Sequence, residues 1–428
     1  MTCPSEPCPT VGEGIDRQLL TELRGRFLAV NQGRLARAME GLALSQQTLL
    51  ELMALFFHVN HPSLPGYVSD TTPAGVAGYE PATASLTTAM ALFRGFACTP
   101  RVSAHAPIQG LFLMGSLGTL AQTDQSDIDV WICHDPGLGK AALQALRKKC
   151  QRLEHWAAGQ GGEVHFFLIH AQRLAEDEHD VQLSAHHDGV MQPTLLLDEF
   201  YRTAIWLAGR TPLWWWVPRC EEGRYDAFTQ RLLAGRALCR DDVIDLGHLA
   251  HVPVDEFQGA GQRQLLKGLE SPYKSVLKLL LIEVYASEYP RVNCLSLHFK
   301  HAMYTNRLDL DELDPYVMVY RRIEHYLKGS GDLQRLELVR RSLYLKANCK
   351  LSDTAVQPAA RWQHRVLARL TAEWGWDERQ LSQLDNHAQW ETEQACHERL
   401  ALARELSISY RFLDRFARKD KTLRVPAT

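Results

Sequence analysis

The sequence predicts an α+β protein in which helices precede and follow a small mixed β-sheet. Three observations lead to this class. Short apolar runs separated by polar or glycine-containing turns occupy residues 110–169, in the order strand, loop, strand, helix, strand. Apolar residues recur at helical spacing over residues 16–58, and again from about residue 193 almost to the end. This order of elements implies a mixed sheet packed against helices.

The N-terminal region is predicted to be mostly helical. Residues 16–58 fit two or three helices. The segment 61–66 interrupts the pattern because its two prolines lack backbone donors and its glycine permits a turn. Residues 67–84 are rich in glycine, proline and threonine and are expected to be loop, whereas 85–96 return to a helical pattern.

Strands and further helices follow along the chain. The predicted strands are 110–114, 127–133 and 163–169, and an amphipathic helix over 140–159 separates the last two. Helices are expected to begin at Ser271-Pro272 and Asp314-Pro315, where a capping side chain precedes a proline at the first helical position. Later helices are predicted over 333–350, 359–374 and 391–416. The resulting division is a helical lead-in and loop over 1–84, a core over 85–220 and a C-terminal helical domain over 221–428.

Composition excludes several classes of function. The 428 residues are 46% hydrophobic and 23% charged, enough for two or three domains of about 150 residues each. Lys and Arg total 47 against 50 for Asp and Glu, a net charge of −3. A protein that coats nucleic acid needs a basic excess, so nucleic acid is not expected as a partner.

The sequence also predicts a cytoplasmic protein without a membrane span. The most apolar stretch, 276–286, is interrupted by Lys278 and Glu283, and the N-terminus has no basic and apolar regions like those of a signal peptide. The ten cysteines include no Cys-x-x-Cys pair. They are therefore expected to be reduced, mostly buried thiols rather than a disulfide framework or a zinc site.

A pair of aspartates is the first indication of a metal-binding site. Asp127 and Asp129 are two positions apart on a predicted strand, so both side chains project from one face. Two carboxylates this close repel unless a divalent cation lies between them, and such oxygen ligands suit Mg²⁺ held jointly with substrate phosphates. The alternative is that the Asp-x-Asp pattern has no chemical role, since the isolated pattern is common.

Two further features strengthen the metal-site interpretation. Gly115-Ser116 follows the first strand, and its backbone could approach a phosphate closely. Glu163 begins the third strand and completes an acidic triad if that strand lies beside the Asp strand; otherwise it is an ordinary residue at a strand end. Three carboxylates and a Gly-Ser turn together describe a two-metal nucleotidyl-transfer site.

The motifs resemble a known family. The order Gly-Ser, Asp-x-Asp and a later acidic strand is similar to the polymerase-β-type nucleotidyltransferases. More specifically, nearly the whole chain resembles the class I adenylate cyclases of γ-proteobacteria. The motifs that carry this resemblance are Asn60-His-Pro-Ser-Leu-Pro-Gly66, Met114-Gly-Ser116, Ser126-Asp-Ile-Asp-Val-Trp-Ile-Cys-His134, Phe166-Phe-Leu-Ile169, Leu195-Leu-Leu-Asp-Glu-Phe-Tyr-Arg-Thr203, Ser271-Pro-Tyr-Lys-Ser-Val-Leu-Lys278 and Glu373-Trp-Gly-Trp-Asp377.

The resemblance implies a polymerase-β-like core and conversion of ATP to 3′,5′-cyclic AMP and pyrophosphate. It implies two Mg²⁺ ions, with Mn²⁺ as a possible substitute, on Asp127, Asp129 and Glu163, with Glu163 also accepting the 3′-hydroxyl proton. Two other functions stay open, namely transfer of AMP to an external hydroxyl and ATP binding without turnover. Family members continue into a C-terminal regulatory region, so regulatory protein partners are expected to act through a region absent from this chain.

The substrate-binding residues expected from these motifs surround the acidic triad. Lys274 and Lys278 lie four apart at a helix start and could contact the β- and γ-phosphates, although a solvated lysine pair is the alternative. Trp131 could border the nucleotide or equally pack in the core. Arg202 could bind substrate, but an ion pair with Asp198 or Glu199 is favoured. The predicted substrate-binding set is Gly115, Ser116, Ser126, Trp131, Arg202, Lys274 and Lys278.

Overall fold

A four-stranded mixed sheet forms the centre of the N-terminal half. In this computed structural model, which describes residues 17–97, 106–172, 174, 193–235, 238–352 and 361–424, the strand order is β3-β2-β1-β4. Strand β1 is antiparallel to both β2 and β4, and β2 is parallel to β3. The predicted α+β class is confirmed. The strands are β1 (Ile108–Met114), β2 (Ile128–His134), β3 (Val164–His170) and β4 (Ile205–Gly209).

Helices account for most of the remaining described chain. Nearly every helix predicted from the sequence is present, with ends that differ by a few residues; the exception is the last, which extends eight residues beyond its predicted end. The helices are α1 (Arg17–Glu40), α2 (Leu44–His58), α3 (Thr83–Leu92), α4 (Lys140–Gly159), α5 (Pro193–Thr203), α6 (Tyr225–Ala234), α7 (Val254–Lys267), α8 (Pro272–Ser287), α9 (Leu295–Tyr304), α10 (Pro315–Ser330), α11 (Leu333–Ala347), α12 (Arg361–Trp374), α13 (Glu378–Asp385) and α14 (Thr392–Arg424).

Each face of the sheet packs against a different set of helices. Ile128, Val130 and Ile132 of β2 contact residues of α2 and α4 in one apolar cluster. Trp131 and Cys133, which point to the opposite face, join a larger cluster that contains residues of α1, α5 and the C-terminal helices. The alternation of side chains along β2 therefore directs the odd-numbered residues towards the C-terminal helices.

Strand β4 corrects the expectation that the chain is helical throughout after residue 193. Residues 205–209 form an edge strand paired with β1, and two short segments, β5 (Thr211–Pro212) and β6 (Val243–Ile244), form a parallel pair. These runs are too short to show a periodicity, and their pairing partners are distant in sequence. Between them, Trp214, Trp215 and Trp216 are buried in a 3₁₀ turn.

Two other expectations concern the cysteines and the membrane. Six cysteines in the described part of the chain are free, and three of these are buried. Cys220 is disulfide-bonded, which corrects the expectation that all thiols are reduced. Across the described ranges, we find no helix that combines the length and apolar character needed to cross a bilayer.

Asp314 links the C-terminal helices to the loop between β1 and β2. Its Oδ1 accepts hydrogen bonds from the backbone N–H groups of Tyr316 and Val317, which confirms the predicted cap of α10. Its Oδ2 accepts a hydrogen bond of 2.8 Å from the N–H of Leu120. Asp314 is 2% exposed, and burial raises the pKa of its carboxyl group. The Asp314 side chain thus accepts hydrogen bonds both from the first turn of α10 and from a buried amide of the loop.

We expect Asp314→Ala to lower the free energy of unfolding by about 2–4 kcal/mol, because it removes a cap and leaves the buried Leu120 amide unsatisfied. Asp332→Ala is the matched control, since Asp332 caps α11 through one hydrogen bond to Arg335 N–H. That control should cost only about 1 kcal/mol. Urea unfolding of both variants checks this, and equal losses would contradict the dual role of Asp314.

Candidate active site

The parallel pairing of β2 with β3 brings the predicted acidic residues together. Asp129 pairs with His165, and Ile128 pairs with Val164. Asp127 and Glu163 immediately precede these two strands, and the N–H of Ile128 donates to the Glu163 carbonyl oxygen at 2.9 Å. The register therefore places Asp127 beside Glu163 and Asp129 beside His165 on one face.

Asp127, Glu163 and His165 form a compact group of possible metal ligands. One ligand atom from each lies within 4.8 Å of the others. His165 Nε2 is 3.3 Å from Glu163 Oε1, and the Glu163 side chain is 70% exposed. Sequence reasoning missed His165. The sequence feature that could have identified His165 is its position two residues after Glu163, because this spacing puts both side chains on the same face of an extended segment.

Asp129 lies deeper and faces the Gly-Ser turn. Gly115 has φ +89°, and a Cβ built on it would be 3.2 Å from Asp129 Oδ2. A side chain at position 115 would therefore be strained and would crowd the carboxylate. Glycine therefore allows the backbone of the turn to approach Asp129 closely.

The electrostatics of the acidic pair favour a bound cation. Burial raises the pKa of both Asp127 and Asp129, and the charge of Glu163 raises that of Asp127 further. The positive charges of His165 and Lys274 act in the opposite direction on both groups. A bound divalent ion stabilises carboxylates that are desolvated and close to other carboxylates, because it offsets both the loss of hydration and the repulsion between the negative charges.

Hydrogen bonds order the loop that follows Gly115. Ser116 Oγ donates to Ser126 Oγ at 3.1 Å, and Ser126 Oγ accepts from the N–H of Thr123 at 2.9 Å. The N–H of Gly118 donates to Gln122 Oε1 at 2.7 Å. The two serine hydroxyls thus lie together, between the Gly-Ser turn and Asp127.

The two predicted lysines differ in their surroundings. Lys274 is half-buried and has no hydrogen bond or ion pair with any residue that the structure describes. Lys278 pairs with Glu199 at 2.6 Å. Burial raises the pKa of Glu199, but the charge and hydrogen bond of Lys278, together with the charges of Arg202 and Lys274, outweigh burial and bring that pKa down to about 2. Lys274 therefore carries the available positive charge, whereas the charge of Lys278 is largely compensated.

Two predicted substrate residues lie in the core. Trp131 is 3% exposed and stacks on Phe200 with ring centroids 4.9 Å apart, which agrees with the packing alternative. Arg202 is 7% exposed, and its Nε lies 3.7 Å from Asp198 Oδ2, which agrees with the ion-pair alternative. Neither side chain reaches the acidic group in this arrangement.

The C-terminal helices supply contacts that sequence reasoning missed. Gln363 of α12 donates to the carbonyl oxygens of Thr119, Leu120 and Gln122 at 3.0–3.4 Å. Lys346 of α11 donates to the carbonyl oxygen of Ala121 at 3.3 Å. No local motif marks these residues, because their partners are more than two hundred positions away in the sequence.

The fold and the site together define a class of protein. Carboxylates that favour a divalent cation and a glycine turn lie at one end of a mixed sheet, and Lys274, which has no ion pair with a described residue, acts on them electrostatically. This arrangement is typical of a metal-assisted site for a phosphorylated substrate. Residues 19–215 match the family model "Adenylate cyclase NT domain", and residues 252–426 match "Adenylate cyclase, class-I, second domain". The chain belongs to the class I adenylate cyclase family, as its motifs predicted.

Curated relatives agree with this assignment. The chain is similar to proteins named adenylate cyclase from Escherichia coli (strain K12), 39% identical over 400 residues, and from Salmonella typhimurium (strain LT2), 38% identical over 400 residues. Both alignments cover 93% of this chain and 47% of the relative, so the chain spans about half the length of the curated relatives it matches. No solved structure matches it.

We expect Mg²⁺ to raise the melting temperature of the wild-type chain, because an ion that binds only the folded state stabilises it. Asp129→Asn should lose most of this increase, whereas Asp124→Asn, at an exposed position in the loop before β2, should retain it. Thermal unfolding with and without Mg²⁺ gives the comparison. Equal increases in the two variants would contradict a metal site at Asp129.

Without metal, Asp129→Asn should unfold at the same temperature as the wild type, or a higher one, at pH 7.5. Since the pKa of Asp129 is raised on folding, its contribution to stability is fully present below the unfolded value of about 3.9. That contribution is lost as the pH rises through the raised pKa of Asp129 in the folded state. A neutral asparagine should therefore not lower the free energy of unfolding at pH 7.5. Melting curves of the metal-free proteins check this, and a clear loss of stability would contradict the pKa direction.

Proposed function

We propose that this chain converts ATP to 3′,5′-cyclic AMP and pyrophosphate. The observation that carries the proposal is the convergence of Asp127, Asp129 and Glu163 on one sheet face, within the electrostatic influence of Lys274. Membership of the class I adenylate cyclase family supports ATP as the substrate. We further propose that the sheet and its helices, over about 85–220, are a polymerase-β-like core, with 1–84 as the lead-in and 221–428 as the helical domain.

The acidic group fits divalent metal ions. Asp127, Asp129 and Glu163 offer the hard oxygen ligands that Mg²⁺ and Mn²⁺ accept, and the raised pKa values of both aspartates indicate unfavourable charge that a cation would relieve. We assign two ions to these three residues. When bound, they supply charge neutralisation for the triphosphate and lower the pKa of the ribose 3′-hydroxyl.

Glu163 is the proposed acceptor of the 3′-hydroxyl proton. Its carboxylate is largely exposed, so it can approach a bound ribose, and His165 at 3.3 Å can orient it. Loss of this proton lets the 3′-oxygen attack the α-phosphorus in line with the departing pyrophosphate. Glu163 therefore combines a proposed ligand role with that of a general base.

The remaining proposed contacts are to the phosphates. Lys274 has no competing partner among the described residues, so its ammonium group can form a charge-assisted hydrogen bond with a phosphate oxygen. Ser116 and Ser126 present neighbouring hydroxyl groups beside Gly115. For Trp131, Arg202 and Lys278 we assign supporting roles, because the first two are buried and the third is paired.

One incubation distinguishes the possible functions. The chain is mixed with ATP and Mg²⁺, and the nucleotides are separated by chromatography. We expect cyclic AMP and pyrophosphate in equal amounts. Formation of an AMP adduct only when a hydroxyl acceptor is added would favour transfer of AMP, and ATP binding without any product would favour a sensor. Either result would reject the proposed cyclisation.

We expect Asp127→Asn to lower kcat at least about a hundredfold, the scale of losing one preorganised charge-stabilising group. The exposed carboxylate of Asp124 provides the matched control, so Asp124→Asn should retain activity within about twofold. Circular dichroism verifies that both variants are folded. Near-normal turnover by Asp127→Asn would reject the site assignment.

Regulation and location are further proposals. The relatives are about twice as long as this chain, so we propose that protein partners regulate the activity through a region that the relatives have in addition. We also propose a cytoplasmic enzyme, consistent with its nucleotide substrate and the near-neutral net charge.

A further inference from the structure

A third lysine of the C-terminal helices approaches the acidic face. Lys346 lies in the last turn of α11, and its Nζ donates to the carbonyl oxygen of Ala121 at 3.3 Å. Ala121 belongs to the loop that begins at Gly115-Ser116. The hydrogen bond places the ammonium group of Lys346 beside the proposed phosphate-binding loop.

Lys346 forms no ion pair with any residue that the structure describes. Within the described ranges its only hydrogen-bond partner is a carbonyl oxygen. Burial lowers the pKa of Lys346 to about 8, and the charges of Lys274 and Lys278 act in the same direction, while Asp127 opposes them. The ammonium groups of Lys274 and Lys346, which form no ion pair with the described residues, therefore lie close enough to repel each other. An anion between them would relieve this repulsion.

The helix that carries Lys346 is firmly positioned. Arg335 of α11 contacts Glu283 of α8 and Glu405 of α14, each at 2.7 Å. The hydroxyl of Tyr344, two residues before Lys346, donates to Asp385 at 2.6 Å. A lysine fixed in this way loses less conformational freedom when it binds a ligand than one on a mobile loop.

We infer that Lys346 is a phosphate-binding residue that contacts the triphosphate together with Lys274. The identity of the substrate rests on the proposed function. The ligand class, a chain of phosphates, rests on the two uncompensated lysines beside a glycine-containing turn. A purely structural role for Lys346, in tethering Ala121 and complementing the C-terminal end of α11, is the competing explanation.

Calorimetric titration with inorganic tripolyphosphate in metal-free buffer tests this inference. Lys346→Gln removes the charge but keeps a donor for Ala121, so we expect affinity for tripolyphosphate to fall about tenfold. Lys346→Arg should retain affinity within about threefold, because the cation is kept. Lys350→Gln, at an exposed position four residues after Lys346, is the matched control and should change it by less than about threefold. Adenosine binding should be the same in all four proteins.

Three results would overturn the inference: wild-type affinity for tripolyphosphate in Lys346→Gln, no binding of tripolyphosphate by the wild type, or an equal loss in Lys350→Gln. A structural role predicts a lower melting temperature of Lys346→Gln with unchanged affinity. The product assay separates this inference from the proposed function. Tripolyphosphate binding that depends on Lys346 in a chain that forms no cyclic AMP would reject cyclisation and leave the phosphate site standing.

Discussion

The parallel register of β2 and β3 is the constraint on which the site depends. Ile128, Val130 and Ile132 are fully buried on one face of β2, and each such side chain contributes about 1.5–3 kcal/mol by leaving water. A shift by one residue would expose these side chains and bury the two aspartates. The burial that stabilises the sheet therefore also determines where Asp127 and Asp129 lie relative to Glu163 and His165.

The C-terminal helices complete the arrangement that the sheet begins. The backbone of loop residues 119–122 contacts Asp314, which caps α10, Gln363 of α12 and Lys346 of α11. The two segments that match family models, 19–215 and 252–426, therefore meet at the proposed phosphate-binding loop. Any movement of the C-terminal helices would be transmitted to this loop through these hydrogen bonds.

Local patterns predicted the acidic half of the site. Alternation along β2 placed Asp127 and Asp129 on one face, and glycine before serine indicated the tight turn whose positive φ the structure contains. The start of α10 was also predictable, because Asp314-Pro315 is a local capping signal. Such features depend on neighbouring residues and need no knowledge of the tertiary structure.

Features that depend on distant contacts could not be predicted in this way. Strand β4 exists because it pairs with β1, and its five residues show no periodicity of their own. Whether Trp131 packed in the core or bordered a nucleotide depended on Phe200, which covers its ring. Lys346 carries no motif, and its proximity to Asp127 arises only when α11 packs against the sheet-bearing half. The positively charged side of the site is therefore assembled by tertiary packing, and local sequence patterns do not reveal it.

The most direct test of the account is a crystal structure of this chain with Mn²⁺ and a non-cyclisable ATP analogue, using the anomalous signal of manganese. The account predicts anomalous peaks about 2.0–2.5 Å from carboxylate oxygens of Asp127 and Asp129, with the triphosphate in contact with Lys274. Manganese bound elsewhere, or a triphosphate remote from the turn at Gly115, would contradict it.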